Sequence, residues 1–443
     1  MPGIDHPTKP LENQMQLPLL PQQIHGQKKQ RSGTFIDNMK LPIHRWFRYS
    51  AGFSAEWVES ILQNRQNGQH EFTIADPFCG SGTTVVAGDW LGVRSVGVEA
   101  HPFVARIART KLNWPCDVSA VLDMANRVRK HAQKPTITES NFPDLIHKCF
   151  DEHSLSSLDS LKQAWLLEND GSPASDLVWL AITTILRPSS SAGTAQWQYI
   201  LPNKTKKVVA EPYEAFDEQI ALMTTDMLVY QRHARAGSCS KARVIQEDAR
   251  HFPGVASGTV DYVITSPPYA NNYDYADATR LEMSFWGEVS SWGDLHEAVR
   301  KYLITSSSQH ASSEKYDLDE LLTLPELAPI HGEIVEVCSK LATERGQHGG
   351  KKHYHTMIAA YFVDMAQVWQ ELRRVCRDDA EVCFVIGDSA PYGVYVPVDR
   401  WLGELALGSG FSSFTFEKLR DRNIKWKNRT HTVPLHEGRL WVK

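Results

Sequence analysis

The stretch that most restricts what this chain can fold into is FTIADPFCGSGTTVVAGDWLGVRSVGVEAHPFVARIARTKLNW, which runs from Phe72 to Trp114. An apolar run over 72–75 predicts a strand. DPFCGSGTT then breaks it with proline and two glycines, and a helix is predicted over 83–91. A second strand over 95–98 and a second helix over 102–112 follow. This is a βαβα unit, and crossovers of that kind are right-handed and build parallel sheets covered by helices. The glycines permit a tight turn and a close approach of backbone to a ligand, and the following helix start offers free amide donors. GSGTT lacks the lysine of a phosphate-cradling loop, which disfavours a nucleoside triphosphate. Glu99 ends the second strand about twenty residues on, where a carboxylate can accept hydrogen bonds from ribose hydroxyls.

A second stretch, VDYVITSPPYANNYDY from Val260 to Tyr275, runs a buried strand straight into Ser266, Pro267, Pro268 and Tyr269. Proline has no ladder donor and a fixed φ, so the strand ends there on a rigid kink. A main-chain carbonyl and a small hydroxyl held in this way form a fixed acceptor pair for an exocyclic amine. The tyrosine offers a face for a base, a contact worth roughly 1–3 kcal/mol. Accepting the protons of such an amine aims its lone pair at an electrophilic methyl, so the catalysis expected is positioning and electrostatics. A plain Pro-Pro turn with a packed tyrosine is the competing reading of these four residues taken alone. Between the two stretches, the strand in ARVIQEDARHF, predicted over 243–246, leads to Asp248, an acid placed to reach an adenine amino group.

The chain has 443 residues and is 42% hydrophobic, enough for one large core or two ordinary ones. Its 47 basic and 52 acidic residues give a net charge of -5, so no overall basic field points to nucleic acid, although a local basic face remains open. The seven cysteines form no CxxC pair and read as reduced thiols, with no metal site expected. The amino terminus lacks the charged start and apolar run of a signal peptide, and no apolar run is long enough to span a membrane, so a cytoplasmic protein is expected. Residues 1–40 read as a flexible tail with a basic cluster at Lys28, Lys29 and Arg31. Order is expected from about Leu41, where HRWFRYSAGFSAEWVESILQ leads into a helix capped by Ser54. A helix is predicted over 356–375, a strand in AEVCFVIGD and a last strand pair near SFTFEKLR and GRLWVK.

Taken together, DPFCGSGTT, VGVEA, QEDAR and TSPPY resemble the S-adenosylmethionine-dependent DNA amino-methyltransferases, which modify cytosine N4 or adenine N6. The resemblance covers about half of the chain. It implies an α/β fold, Rossmann-like, with a mostly parallel seven-stranded twisted sheet flanked by helices, plus two largely helical insertions. It implies S-adenosyl-L-methionine as cofactor, held by Asp76, Pro77, Phe78, Cys79, Gly80, Gly82, Thr83, Thr84, Glu99 and Asp248. Ser266, Pro267, Pro268 and Tyr269 are the implied catalytic group. The aromatic segment around HRWFRYSAGF is similar to the element that contacts the methionine end of the cofactor.

The organisation expected is a cofactor-binding half over 41–114, a helical insertion over 115–240 and a core segment with SPPY over 241–280. An insertion over 281–354 and the carboxyl-terminal half of the core over 355–443 complete it. Double-stranded DNA is the partner implied, with a cognate restriction nuclease or defence-system proteins beside it, no membrane, and a prokaryotic or phage source. The oligomeric state is not legible. No separate recognition domain is expected after the last strand, and either insertion could read DNA, with packing or subunit contact as the competing reading of each. The 281–354 insertion, with GGKKHYH, is favoured over the first, with PNKTKK. A serine opening the tetrapeptide is more frequent in cytosine-N4 enzymes of this family, so N4 is expected, with adenine N6 as the alternative. An RNA methyltransferase and a non-catalytic DNA- or cofactor-binding subunit are further alternatives. The base must leave its stack to reach Tyr269. ANNYDY either lines that pocket or satisfies its own turn, and the basic segment EKLRDRNIKWKNR is either a phosphate contact or a solvated hairpin. Asp388 is assigned no role.

Overall fold

A computed structural model of the chain describes residues 35–49, 52–66, 71–134, 141–195, 198–233, 241–271, 274–308, 316–350, 352–422 and 433–443. The tail cluster at Lys28, Lys29 and Arg31 lies outside these residues, as do Asn272, Lys425, Trp426, Lys427 and Arg429.

The described strands are, in chain order, β1 (Thr73–Asp76), β2 (Arg94–Val98), β3 (Ala192–Thr194), β4 (Ile200–Thr205), β5 (Ala242–Ile245), β6 (Val260–Thr265), β7 (Cys376–Gly387), β8 (Phe414–Arg422) and β9 (Leu435–Val442). Seven of them form one sheet in the order β5-β2-β1-β6-β7-β9-β8. Every pairing from β5 to β7 is parallel, and β9 alone runs against its neighbours. This is the mostly parallel, seven-stranded, Rossmann-like sheet that the family resemblance implied, its parallel part being what the βαβα unit by itself predicted. β3 and β4 pair only with each other.

Each face of the sheet is covered. Ile74, Tyr262, Ile264, Cys383 and Val385 pack with Trp57, Val58 and Leu62 of the helix Ala55–Gln66. Their alternate neighbours Ala75, Val263, Val382 and Phe384 pack with the helices Tyr354–Val375 and Val398–Gly408. That alternation is the two-residue strand period with both faces buried. Trp369 stacks on Phe384 with ring centroids 4.4 Å apart. A separate core holds the helices between β2 and β5, with Trp179, Leu158, Leu161 and Phe216 at its centre. These helices start on local caps: Asp117 accepts from the Ser119 amide, Asp151 from Ser154 and Ser172 from Ser175. Ser54 caps the Ala55 helix as expected, its Oγ accepting from the Trp57 amide at 3.3 Å. No described helix is long and apolar enough to cross a membrane.

The strand order reverses between β1 and β6, and open parallel sheets leave a crevice at the carboxyl ends of strands at such a point. Asp76, Glu99, Asp248 and Ser266 all follow or end strands on that edge.

Candidate active site

The glycine loop is folded tightly onto β2. The Cys79 amide donates to the Val98 carbonyl (3.0 Å) and the Gly82 amide to the Cys79 carbonyl (2.9 Å). Gly80 and Gly82 have φ of +52° and +93°, a region that disfavours other residues. Gly97 matters for another reason: a Cβ there would lie 2.7 Å from Cys79 Sγ. The loop therefore has its shape because β2 presents a bare backbone beneath it.

Glu99 ties the loop from the other side. Its Oε2 accepts from the Gly80 amide and its Oε1 from the His101 amide, both at 2.8 Å. Burial pushes its carboxyl up to about 7 against those two donors. His101 is buried, driven down to about 3 by desolvation, and meets Thr279 Oγ1 at 2.8 Å. Asp248 is held by Arg250, whose Nε and Nη2 reach its two oxygens. Arg250 also donates to Asp364 Oδ1 (2.7 Å), and Asp364 Oδ2 accepts from the Thr305 amide (2.8 Å).

These groups surround one cavity with about 760 Å³ of empty space, including its open mouth. Of the residues expected at the cofactor, Pro77, Phe78, Cys79, Gly80, Thr83, Glu99 and Asp248 line it, as do Ser266 and Pro268 of the tetrapeptide. Asp76, Gly82 and Thr84 stand behind the wall. Asp76 is fully buried, accepting from Thr265 Oγ1 (2.5 Å) and the Phe78 amide (3.1 Å), and desolvation raises its carboxyl to about 6. It thus pins the end of β1 to the end of β6. Thr84 Oγ1 donates to the Ile264 carbonyl (3.2 Å), a second tie between the same elements.

Tyr49, Gly52 and Phe53, from the aromatic segment before the loop, also line the cavity. Gly80 lies so close to the Tyr49 ring that a Cβ would come within 3.2 Å of it. That segment is strapped down from far away in sequence. Asp226 accepts from the Ile43 amide (3.2 Å), Trp46 Nε1 (3.0 Å), Arg45 Nε (3.0 Å) and Arg45 Nη2 (2.5 Å). Thr184 Oγ1 donates to the Trp46 carbonyl and Gln198 Nε2 to the Arg48 carbonyl. Tyr275, Tyr302, Leu303 and Ile304 complete the wall. Sequence reasoning offered Tyr275 within ANNYDY but missed Tyr302, Leu303 and Ile304, because neither a motif nor a periodicity marks a residue that reaches the site only through the fold.

At the tetrapeptide, Ser266 Oγ donates to the Val385 carbonyl at 3.0 Å. Its hydrogen is thereby committed, and the oxygen presents lone pairs. Tyr269 is half-buried with the Arg422 guanidinium 5.0 Å from its ring centroid. Arg422 Nη1 donates to the Asp388 carbonyl (2.8 Å), and a Cβ on Gly387 would lie 2.5 Å from that nitrogen. Asp388 is buried against His436, with Nδ1 2.6 Å from its Oδ2, and Asp399 lies 3.7 Å from the far ring nitrogen. Of the basic segment, Lys418 and Arg420 meet Asp421 and Glu437. In ANNYDY, Asp274 is buried on Arg300 (2.6 Å) and caps the Ala276 amide, while Asn271 takes φ +61°.

A Rossmann-like sheet whose glycine loop, strand-end acids Glu99 and Asp248, and Ser266 and Pro268 open onto one cavity is the architecture expected of a methyltransferase. The family model described as DNA methylase, of the N6/N4 type, matches residues 18–110. Type II methyltransferase M.BsoBI of Geobacillus stearothermophilus is 25% identical over 420 residues, 87% of this chain and 82% of the relative. Type II methyltransferase M.AvaI of Nostoc sp. is 23% identical over 426 residues, 88% and 83% of the two chains. Type II methyltransferase M.MjaII of Methanocaldococcus jannaschii is 33% identical over 95 residues, 20% and 17% of the two chains. The family model and these relatives support an S-adenosylmethionine-dependent DNA amino-methyltransferase of the N4/N6 family.

The lining fits that cofactor: Glu99 could hold a ribose, Phe78, Ala249 and Ile304 could wall a purine beside Asp248, and Tyr49 places a ring at the loop.

Proposed function

We propose that this chain is a Type II modification enzyme that methylates the exocyclic amine of a flipped base in duplex DNA, with cytosine N4 as the target. The observation carrying the proposal is that Ser266 and Pro268 line the same cavity as Gly80, Glu99 and Asp248. A target amine at the tetrapeptide would thus meet the cofactor's reactive end without further movement of the sheet. The relatives' description as Type II methyltransferases and their coverage of most of this chain support a modification enzyme, and a restriction nuclease beside it is part of the proposal.

The bound cofactor supplies an electrophilic methyl on a sulfonium. Everything else falls to side chains and backbone. Glu99 and Asp248 fix the nucleoside, and the strap ending at Tyr49 closes over the glycine loop. Ser266 Oγ, its own hydrogen given to Val385, accepts a hydrogen bond from one amine N–H and the Pro267 carbonyl from the other, and the one proton the methylated nitrogen sheds passes to water. The nitrogen lone pair is then turned out of the ring plane toward the methyl. Tyr269 stacks on the base, which fixes the angle of approach. The serine favours N4, since the shorter neutral acceptor in this family more often accompanies cytosine.

The test is sequencing sensitive to modified bases on DNA from cells expressing this chain, beside cells expressing Tyr269→Ala. N4-methylcytosine at one recurring motif, lost in the variant, is the expected result. N6-methyladenine there would replace the base and keep the mechanism. No modified motif would overturn the reading.

A further inference from the structure

The helix His331–Gln347 ends on Gly349 and Gly350, with φ of +76° and +73°, and the chain turns into the helix Tyr354–Val375. This turn gathers Arg345, His348, Lys352, His353 and His355. It touches the loop that follows β7, on the carboxyl edge of the sheet that also carries Ser266. The His348 ring lies flat on Tyr392 of that loop, centroids 4.4 Å apart and planes within 3°, and Tyr354 meets Tyr392 edge-on at 4.8 Å.

Several arginines elsewhere sit on carboxylates: Arg187 on Glu282, Arg250 on Asp248 and Asp364, Arg300 on Asp274. Arg345 instead turns Nη2 to Nε2 of His353 at 3.2 Å, so that nitrogen accepts and carries no proton. Lys352 Nζ donates to the Tyr354 hydroxyl at 3.1 Å. Among the described residues neither cation forms an ion pair, and the one acid engaged nearby is Glu344, 3.8 Å from His348. Arg345 Nε and His355 Nδ1 are buried without a hydrogen-bond partner. Burial, and then Arg345 itself, hold His353 and His355 below the ordinary imidazole range. In a chain of net charge -5, two cations held apart from counter-charge beside buried donors without a partner suit an anion from outside.

We infer that the turn around Arg345 and Lys352 is the seat of DNA backbone phosphates, and that it docks the duplex against the active-site edge. The inference rests on the DNA-methyltransferase reading and assigns the docking to the insertion between β6 and the Tyr354 helix. Arg345 and Lys352 supply the charge. His355, whose Nδ1 is buried without a partner, adds a donor that a phosphate would satisfy. Tyr392 fixes the turn to the loop after β7, so a phosphate held here is held at a fixed offset from Ser266.

The experiment is equilibrium binding of the full chain to duplex DNA, with S-adenosylhomocysteine present and methyl transfer therefore absent, across about 50 to 200 mM salt. Arg345→Gln and Lys352→Gln are compared with Lys130→Gln on the helix Val118–Ala132. Each of the first two is expected to weaken all duplexes alike and to flatten the log-log salt slope by about one unit, making the loss across that range roughly threefold smaller. Lys130→Gln should leave the slope alone, and S-adenosylhomocysteine affinity and melting temperature should be those of the parent in all three. An unchanged slope in the Arg345→Gln, Lys352→Gln double variant overturns the inference while leaving the enzyme reading intact. Absence of duplex binding by the parent chain overturns both.

Discussion

Glu99 has one oxygen on the Gly80 amide and one on the His101 amide, and its carboxyl titrates near 7 because desolvation outweighs both donors. Ribose hydroxyls donate best to the ionised form, so cofactor affinity should rise with pH through about 7 and level off above it. Calorimetric titration with S-adenosylhomocysteine checks this, and Glu99→Gln should flatten the profile and remove roughly 1.5–3 kcal/mol of binding. An identical profile in Glu99→Gln would assign the titration to another group. Arg422 is the second residue with a measurable task. Resting on bare Gly387 and bonded to the Asp388 carbonyl, its guanidinium lies 5.0 Å from the Tyr269 ring centroid. Guanidinium contacts of this kind are worth about 0.5–2 kcal/mol, so Arg422→Ala should lower kcat/KM for DNA by about 2- to 30-fold. Tighter DNA binding in that variant would mean that Arg422 occupies the base's seat.

At the scale of elements, β2 and the glycine loop act as one unit. Gly97→Ala would drive a methyl into Cys79 and Val85, and overpacking of this sort costs about 1–3 kcal/mol. The expected outcome is a lower melting temperature together with weaker S-adenosylhomocysteine binding, since the loop must lift. The strap over 43–49 depends in the same way on the helix Pro212–His233. Asp226→Asn keeps the shape but weakens the bonds to Arg45, Ile43 and Trp46, a loss of about 1.5–3 kcal/mol. Cofactor affinity should fall with it, and unchanged affinity would show that the strap holds itself. The contrast between the two cases explains what was legible beforehand. Strand, glycine loop, helix and SPPY are local patterns, carried by hydrophobic period and by glycine and proline, and they mapped the sheet's carboxyl edge. Asp226, Asp364, Tyr302 and Ile304 reach the site through pairings 100 or more residues long or through a loop with no motif, and a single sequence holds no signal for those. ANNYDY is divided: Asp274 satisfies its own turn and Arg300, whereas Tyr275 lines the cavity.

For the molecule as a whole, Asp76 and Glu99 bind protons in the folded chain at pH values where the unfolded chain has lost them. Stability from these two groups is therefore full below the ordinary carboxylate range and is lost as pH climbs through about 6 and 7. The ligand-free protein should melt at a lower temperature at pH 8 than near pH 5. Cofactor at a hundredfold over its Kd should add about 2.7 kcal/mol at either pH. A melting temperature that rises over this interval would mean that other carboxylates outweigh the pair.

The central strand β1 has consequences for how the chain is made. Its neighbour on one side, β2, follows within about twenty residues, but on the other side Ile74 and Ala75 wait for Tyr262 and Val263. The strap at Trp46 likewise waits for Asp226, 180 residues later. Emerging from the ribosome, the amino-terminal third therefore carries a naked strand edge and an unfastened aromatic segment until more than half of the protein has been synthesised. Such distant pairings fold slowly and leave sticky intermediates. Yield in a host should thus respond to translation speed and to chaperones that shield nascent chains, and fragments ending before β6 should aggregate.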